Sequence, residues 1–169
     1  MPPDVTPPLA RIVSGGQTGA DRAALDVALE KGLEVGGWVP RGRRAEDGAI
    51  PARYPNLRET ASRDPAVRTR RNVRDSDATL VLSHGPPAGG SKLTAELALQ
   101  LGRPLLHLDL DARSEAGATE ALRAWLRGCA PQTLNVAGPR ASGDPRIGEA
   151  TRRILRAVLR SPAEATPGP

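Results

Sequence analysis

The chain has 169 residues with 24 basic and 19 acidic side chains, a formal charge of +5, and an aromatic share of 2% that includes no Phe. A single domain of this length buries roughly 70% of its unfolded surface, so a core of Leu, Val, Ile and Ala is expected to hold without staples. One cysteine, Cys129, and two separated histidines, His84 and His107, supply neither a disulfide nor a metal-ligand cluster, and no apolar run approaches a membrane span or a secretory leader.

A cytoplasmic protein with no structural metal and no membrane contact is therefore expected. Arg outnumbers Lys, which occurs only at Lys31 and Lys92; this suits bidentate recognition of phosphate or carboxylate, and a GC-rich coding sequence gives the same bias. The few aromatic residues are scattered rather than interleaved with basic ones, so nucleic acid is not an expected partner.

Residues 1–10, with Pro2, Pro3, Pro7 and Pro8, and residues 161–169 read as tails around one domain over 11–160. Arg11 to Ser14 is a short strand stopped by Gly15 and Gly16. Residues 20–32 follow as a helix, with Leu25, Ala28, Leu29 and Leu33 at helical spacing. Residues 34–39 form a second strand, and 40–62 a long polar loop containing glycine. Asp64 then Pro65 is an N-cap followed by proline at the first helical position, which predicts a helix to about Asp75.

Ala78 to Leu82 is an unbroken apolar run, as in a strand buried on both faces. Ser91 is positioned to cap a helix carrying Leu93, Leu97 and Leu101, which Gly102 and Pro104 end. A strand over 105–110, a helix over 115–129 and a strand over 133–137 come next. Asp144 and Pro145 begin a last helix bearing Ile147, Ile154, Leu155 and Val158. Five strands and five helices in alternation predict an α/β three-layer sandwich, a five-stranded, mainly parallel sheet with helices on both faces.

Ligands of such folds bind at the carboxyl ends of the strands, which directs attention to four loops. In the first, Ser14 to Arg22 reads SGGQTGADR. Gly15, Gly16 and Gly19 permit close backbone approach to an anion at a helix start, and Gln17 and Thr18 add donors. The segment lacks the P-loop lysine and the GxGxxG spacing, so it reads equally as a tight turn. Asp21 is too acidic to face a phosphate; it suits orienting Arg22 or binding a sugar hydroxyl or ring N–H.

The second glycine-rich turn, Ser83 to Glu96, places Gly89 and Gly90 before a helix, with Ser91, Lys92 and Thr94 as donors. Two such turns in one small domain point to phosphate binding more strongly than either alone. Arg41, Arg43 and Arg44 beside Glu46 and Asp47, and the run from Arg68 to Asp77, read from composition as solvated charge. On a helix, Arg68, Arg71, Asn72 and Asp75 share a face and could close over a site. His84 is placed to act as acid, base or bystander, His107 lies inside an apolar strand, and Cys129 reads as a core residue rather than a nucleophile.

Taken in order, SGGQTGADRAALDVA, GWVPRGRRAEDGAIPARYPNLRET, RTRRNVRDSDATLVLS, GGSKLTAELA and NVAGPR resemble the molybdenum cofactor carrier proteins over roughly residues 11–160. The resemblance implies a Rossmann-like fold and a homo-oligomer, a tetramer or a dimer. It also implies a bound molybdenum cofactor, the phosphorylated pterin molybdopterin, protected or delivered to molybdoenzymes without a chemical step. It implies site roles for Gly15, Gly16, Gln17, Thr18, Gly19, Asp21, Arg22, Ser83, Gly89, Gly90, Ser91 and Thr94. Arg44, Glu46, Asp47, Arg68, Thr69, Asn72 and Asp75 also fall on the family's motif positions.

The wider superfamily binds nucleotides, which makes a nucleotide the alternative ligand and a nucleotide sensor an alternative role. It includes the Lonely Guy type phosphoribohydrolases, whose PGGxGTxxE segment carries a helping glutamate. Glu96 stands at a comparable distance from Gly89 here, although the inner glycine and threonine spacing is missing.

Overall fold

A computed structural model describes residues 9–160. The expected tails lie outside the described residues apart from Leu9 and Ala10. The elements in chain order are β1 (Arg11–Val13), α1 (Ala20–Glu30), β2 (Glu34–Val39), β3 (Arg44–Ala45), β4 (Gly48–Ala49), β5 (Leu57–Glu59) and α2 (Pro65–Arg74). They continue with β6 (Ala78–Ser83), α3 (Gly89–Gln100), β7 (Leu105–Asp109), α4 (Glu115–Cys129), β8 (Thr133–Ala137) and α5 (Ile147–Val158).

The main sheet has six strands in the order β5-β2-β1-β8-β6-β7, and every neighbouring pair is parallel. This corrects the expected five strands. The sixth, β5, lies within the segment expected to be loop, paired to β2 through Gly37 and Leu57. Its three residues at the sheet edge include one apolar side chain, too little to make a periodic pattern. The same segment also folds β3 and β4 into a small antiparallel ladder.

The central strands are the apolar ones. Every residue of β6 is buried, and Ile12 of β1 lies level with Val35 of β2 and Leu134 of β8. Helices α1, α4 and α5 cover one face and α2 and α3 the other. Leu25 of α1, Leu122 of α4, and Ile154 and Leu155 of α5 are fully buried with the strand side chains in one cluster. Burying each such side chain stabilises the fold by about 1.5–3 kcal/mol.

Helix starts follow local chemistry where a short polar side chain is free to act. Asp64 accepts from the Ala66 N–H at 2.9 Å ahead of Pro65, and Ser114 accepts from the Gly117 N–H at 3.0 Å. Two expected starts move. Helix α3 begins at Gly89, so Ser91 sits buried inside its first turn instead of capping it. Helix α5 begins at Ile147, and the Asp144 carboxylate instead takes the Arg146 N–H at 3.0 Å.

Strand β8 is the point where the winding divides. On one side β1 leads through α1 to β2, and on the other β6 leads through α3 to β7. The loops leaving β1 and β6 therefore diverge above β8 and open a crevice at the carboxyl ends.

Candidate functional site

That crevice is a cleft of about 680 Å³. One wall comes from the β1–α1 loop and α2, through Gly15, Gln17, Asp21, Arg68, Thr69 and Asn72. The opposite wall comes from the β6–α3 turn, through Ser83, His84, Gly89, Gly90, Ser91 and Thr94. The β8–α5 loop closes the third side with Asn135, Gly138, Arg140, Asp144 and Arg146.

The first glycine loop is satisfied largely from within. The Gly16 N–H donates to Ser14 Oγ, the Gln17 N–H to Asp21 Oδ2, the Thr18 N–H to Gln17 Oε1, and the Ala20 N–H to the Pro139 carbonyl. Gly16 turns at φ 71° over Ile50, and Gly19 packs on the Pro139 backbone at φ 81°. Neither faces the cleft. Across the site, the Gly89 and Gly90 N–H groups have no acceptor among the described residues, and the cap residue Ala88 offers no side-chain bond.

Asp21 is buried in the first wall at 6% exposure. Burial pushes its carboxyl up to about 6, against the pull of Arg68 3.8 Å away. Arg68 reaches this point by donating from Nη1 to the Gly15 carbonyl at 2.7 Å and from Nε to the Pro65 carbonyl at 3.2 Å.

Several expected ligand contacts are spent inside the protein. Asn72 accepts from the Trp38 N–H at 2.7 Å and donates back to its carbonyl at 3.0 Å, tying α2 to β2. Thr69 and Thr94 donate to the carbonyls of Pro65 and Gly90. Ser83 Oγ donates to the Gly85 carbonyl at 2.7 Å and lies 2.6 Å from His107 Nε2. One hydroxyl has one proton, so the His107 ring donates back and Ser83 is not an activated nucleophile.

Glu46, Asp47, Thr18 and Arg22 stand behind the first loop rather than in the cleft. Glu46 accepts from Thr18 Oγ1, Ser142 Oγ and the Ser142 N–H, joining three loops. The Ser142 and Thr18 bonds hold its carboxyl below the usual range. Asp47 takes a forked bond from Arg22, whose Nε also reaches the Gly16 carbonyl at 3.0 Å. The Arg22 bond holds the Asp47 carboxyl low.

Arg44 lies apart, in a small surface pocket with Arg41, Gly42, Glu59 and Arg63. Asp75 also points elsewhere, accepting from Trp38 Nε1 at 2.8 Å and from Arg74, which lowers its pKa. Glu96 is exposed on α3 with Lys92 4.0 Å away and does not line the cleft. Cys129 packs against the core, and burial pushes its thiol up.

The charged end of the third wall had no single-residue signal in the sequence beyond following a strand. His84 Nδ1 lies 2.5 Å from Asp144 Oδ2 across 60 residues of chain. Arg140 and Arg146 add positive charge to the same wall.

The family model for the circularly permutated YpsA SLOG family matches residues 12–159. The chain belongs to the circularly permutated YpsA SLOG family. Within this family's fold, the chain is 48% identical to an inferred molybdenum carrier protein from Syntrophus aciditrophicus SB, known from a crystal structure. That likeness covers 90% of this chain and 96% of the other, with a TM-score of 0.88. No curated protein matches this SLOG chain.

Proposed function

We propose that the cleft binds a phosphorylated organic ligand of the molybdenum cofactor class and protects or delivers it, with no chemical step. The observation that carries this reading is the pattern of helix capping. The α2 start beside the cleft and the α4 start away from it are capped by Asp64 and Ser114. The other helix starts at the cleft, those of α1, α3 and α5, have no side-chain cap bond. A helix start with free N–H groups attracts an anion through those donors and the helix dipole.

The α1 and α3 starts are not equivalent. The α1 loop uses most of its N–H groups internally and keeps Asp21 beside it, whereas the α3 start leaves Gly89 and Gly90 free. The phosphate subsite is therefore assigned to Gly89 and Gly90, with Arg140 and Arg146 as counter-charge. The Asp21 end is left for the organic part of the ligand. A volume of about 680 Å³ falls within the range of roughly 300–1,000 Å³ common for small-molecule sites.

The description of the Syntrophus protein as a molybdenum carrier supports the same ligand class. A nucleotide fits the same chemistry and is the second reading. Its hydrolytic version loses support because Glu96 stands outside the cleft and is solvent-exposed.

The test is to mix the purified chain anaerobically with molybdenum cofactor, separate it from free ligand, and offer the protein fraction to a cofactor-free molybdoenzyme. Retention with restored enzyme activity is expected. Failure to retain the cofactor, with retention of adenosine monophosphate, transfers the site to nucleotides.

A further inference from the structure

His84 follows β6 directly, and its residue lines the same cleft as the phosphate subsite proposed at Gly89 and Gly90. Its partner Asp144 is fixed on both oxygens. Oδ1 accepts the Arg146 N–H at 3.0 Å, and Oδ2 lies 2.5 Å from His84 Nδ1. An ionised carboxylate only accepts, so the Nδ1 proton points to Asp144, and in the neutral form of the ring Nε2 is left as a lone pair.

Nε2 has no hydrogen-bond partner among the described residues, yet it is absent from the buried unpartnered atoms, which are Ser76 Oγ and Thr151 Oγ1. With its side chain 12% exposed and lining the cleft, that nitrogen is open to a ligand. Arg140 and Arg146 lie on the same wall, with Arg146 Nε 3.8 Å from Asp144 Oδ1. Asp21, across the cleft, is a second group whose ionised form only accepts.

We propose that His84 Nε2, oriented by Asp144, accepts a hydrogen bond from a hydroxyl or N–H on the organic part of the ligand, so that the cleft selects phosphorylated ligands bearing such a donor. This rests on the phosphorylated-ligand reading and narrows it. Bare oxyanions such as molybdate or sulfate present acceptors to acceptors here and leave Nε2 unmatched. A site built to bond a ligand donor penalises an analogue lacking it, because the buried acceptor is then desolvated without a partner.

Asp144→Asn gives a test that a purely structural role would not pass. The Arg146 N–H still claims the side-chain oxygen, so the amide nitrogen faces His84 Nδ1 as a donor and moves the ring proton to Nε2. The acceptor becomes a donor with little change in shape. Wild type, Asp144→Asn and His84→Phe would be titrated at pH 8 with adenosine monophosphate, sodium sulfate and sodium molybdate.

Wild type is expected to bind adenosine monophosphate at least about tenfold more tightly than either oxyanion. Both variants should weaken adenosine monophosphate by about tenfold or more, and Asp144→Asn should bind sulfate no more weakly than wild type. Two-bond 1H–15N spectra should show an unprotonated His84 Nε2 in wild type and a protonated one in Asp144→Asn.

Unchanged adenosine monophosphate affinity in both variants overturns the proposal, as does a wild type that prefers either oxyanion or carries its proton on Nε2. If no probe binds and the molybdenum cofactor is not retained either, or if Gly90→Asp leaves adenosine monophosphate binding intact, the phosphorylated-ligand reading itself fails and takes this one with it.

Discussion

The guanidinium of Arg68 occupies the space that a side chain on Gly15 would need, and it is held there by its 2.7 Å bond to the Gly15 carbonyl. The absence of a Cβ at Gly15 thus places a cation in the cleft wall 3.8 Å from Asp21. Gly15→Ala should displace Arg68 while sparing the fold, since the flexible end of a side chain gives way rather than backbone. The expected result is a roughly tenfold weaker ligand, the size of one charge-assisted hydrogen bond. Titration beside a thermal melt separates the two effects.

Asp21 gives stability a defined pH dependence. Its carboxyl is raised from 3.8 to about 6 by burial, so the folded state holds the proton more tightly than the unfolded state. That contribution is fully present below about pH 4 and is lost as pH rises to about 6. The shift corresponds to about 3 kcal/mol at roughly 1.4 kcal/mol per pH unit. Urea unfolding of wild type and Asp21→Asn across this window should show the variant with a flatter profile and the greater relative gain at neutral pH. Parallel profiles would assign the cost to another group.

The segment between β2 and α2 is pinned through Tyr54. Its ring is buried at 1% exposure, and its hydroxyl donates to Asp26 Oδ1 at 2.7 Å; Asp26 also takes Arg152 of α5 at 2.8 Å. Tyr54→Phe removes one donor to a shielded carboxylate and should cost about 1–3 kcal/mol. Faster amide exchange over residues 48–57, measured in the same variant, would show that this bond holds the segment down.

Glu96→Gln should leave ligand binding unchanged within twofold. The side chain is half exposed and its neighbour is Lys92, not the cleft. A variant that loses binding or any turnover would return a catalytic role to this glutamate.

The strands and helices readable in the sequence were those with strong local signals. Ala78 to Leu82, read as an apolar run, is buried at every position, and Asp64 with Pro65 starts a helix through its own side chain. Strand β5 was hidden because an edge strand needs only one partner and presents mostly polar residues. Ser91 misled because a serine before a helical pattern resembles a cap, while here the backbone turns into the helix two residues earlier at Gly89.

The site was legible where a motif lies on one loop and obscure where it depends on pairing. Gly15, Asp21, Gly89 and Gly90 follow strands and line the cleft, whereas Arg68 reaches it from α2, where its charge read from composition as solvated. Glu46 and Asp47 read like ligand groups but spend their charges bracing the loop behind it. His84 and Asp144 lie 60 residues apart, and nothing in either local segment announces the other.

The central claim is that the free N–H groups at the start of α3 hold the ligand phosphate, and Gly90 is the position that tests it most directly. A Cβ there meets nothing within 4 Å, and an acidic residue in the first turn of a helix is tolerated or stabilising. Gly90→Asp therefore leaves the fold intact while placing a negative charge where the phosphate would sit. Anaerobic titration of wild type and Gly90→Asp with molybdenum cofactor should show binding in wild type and at least about a hundredfold loss in the variant, from repulsion between like charges at close range near the protein surface, at an unchanged melting temperature. Equal binding by the two proteins would contradict the account.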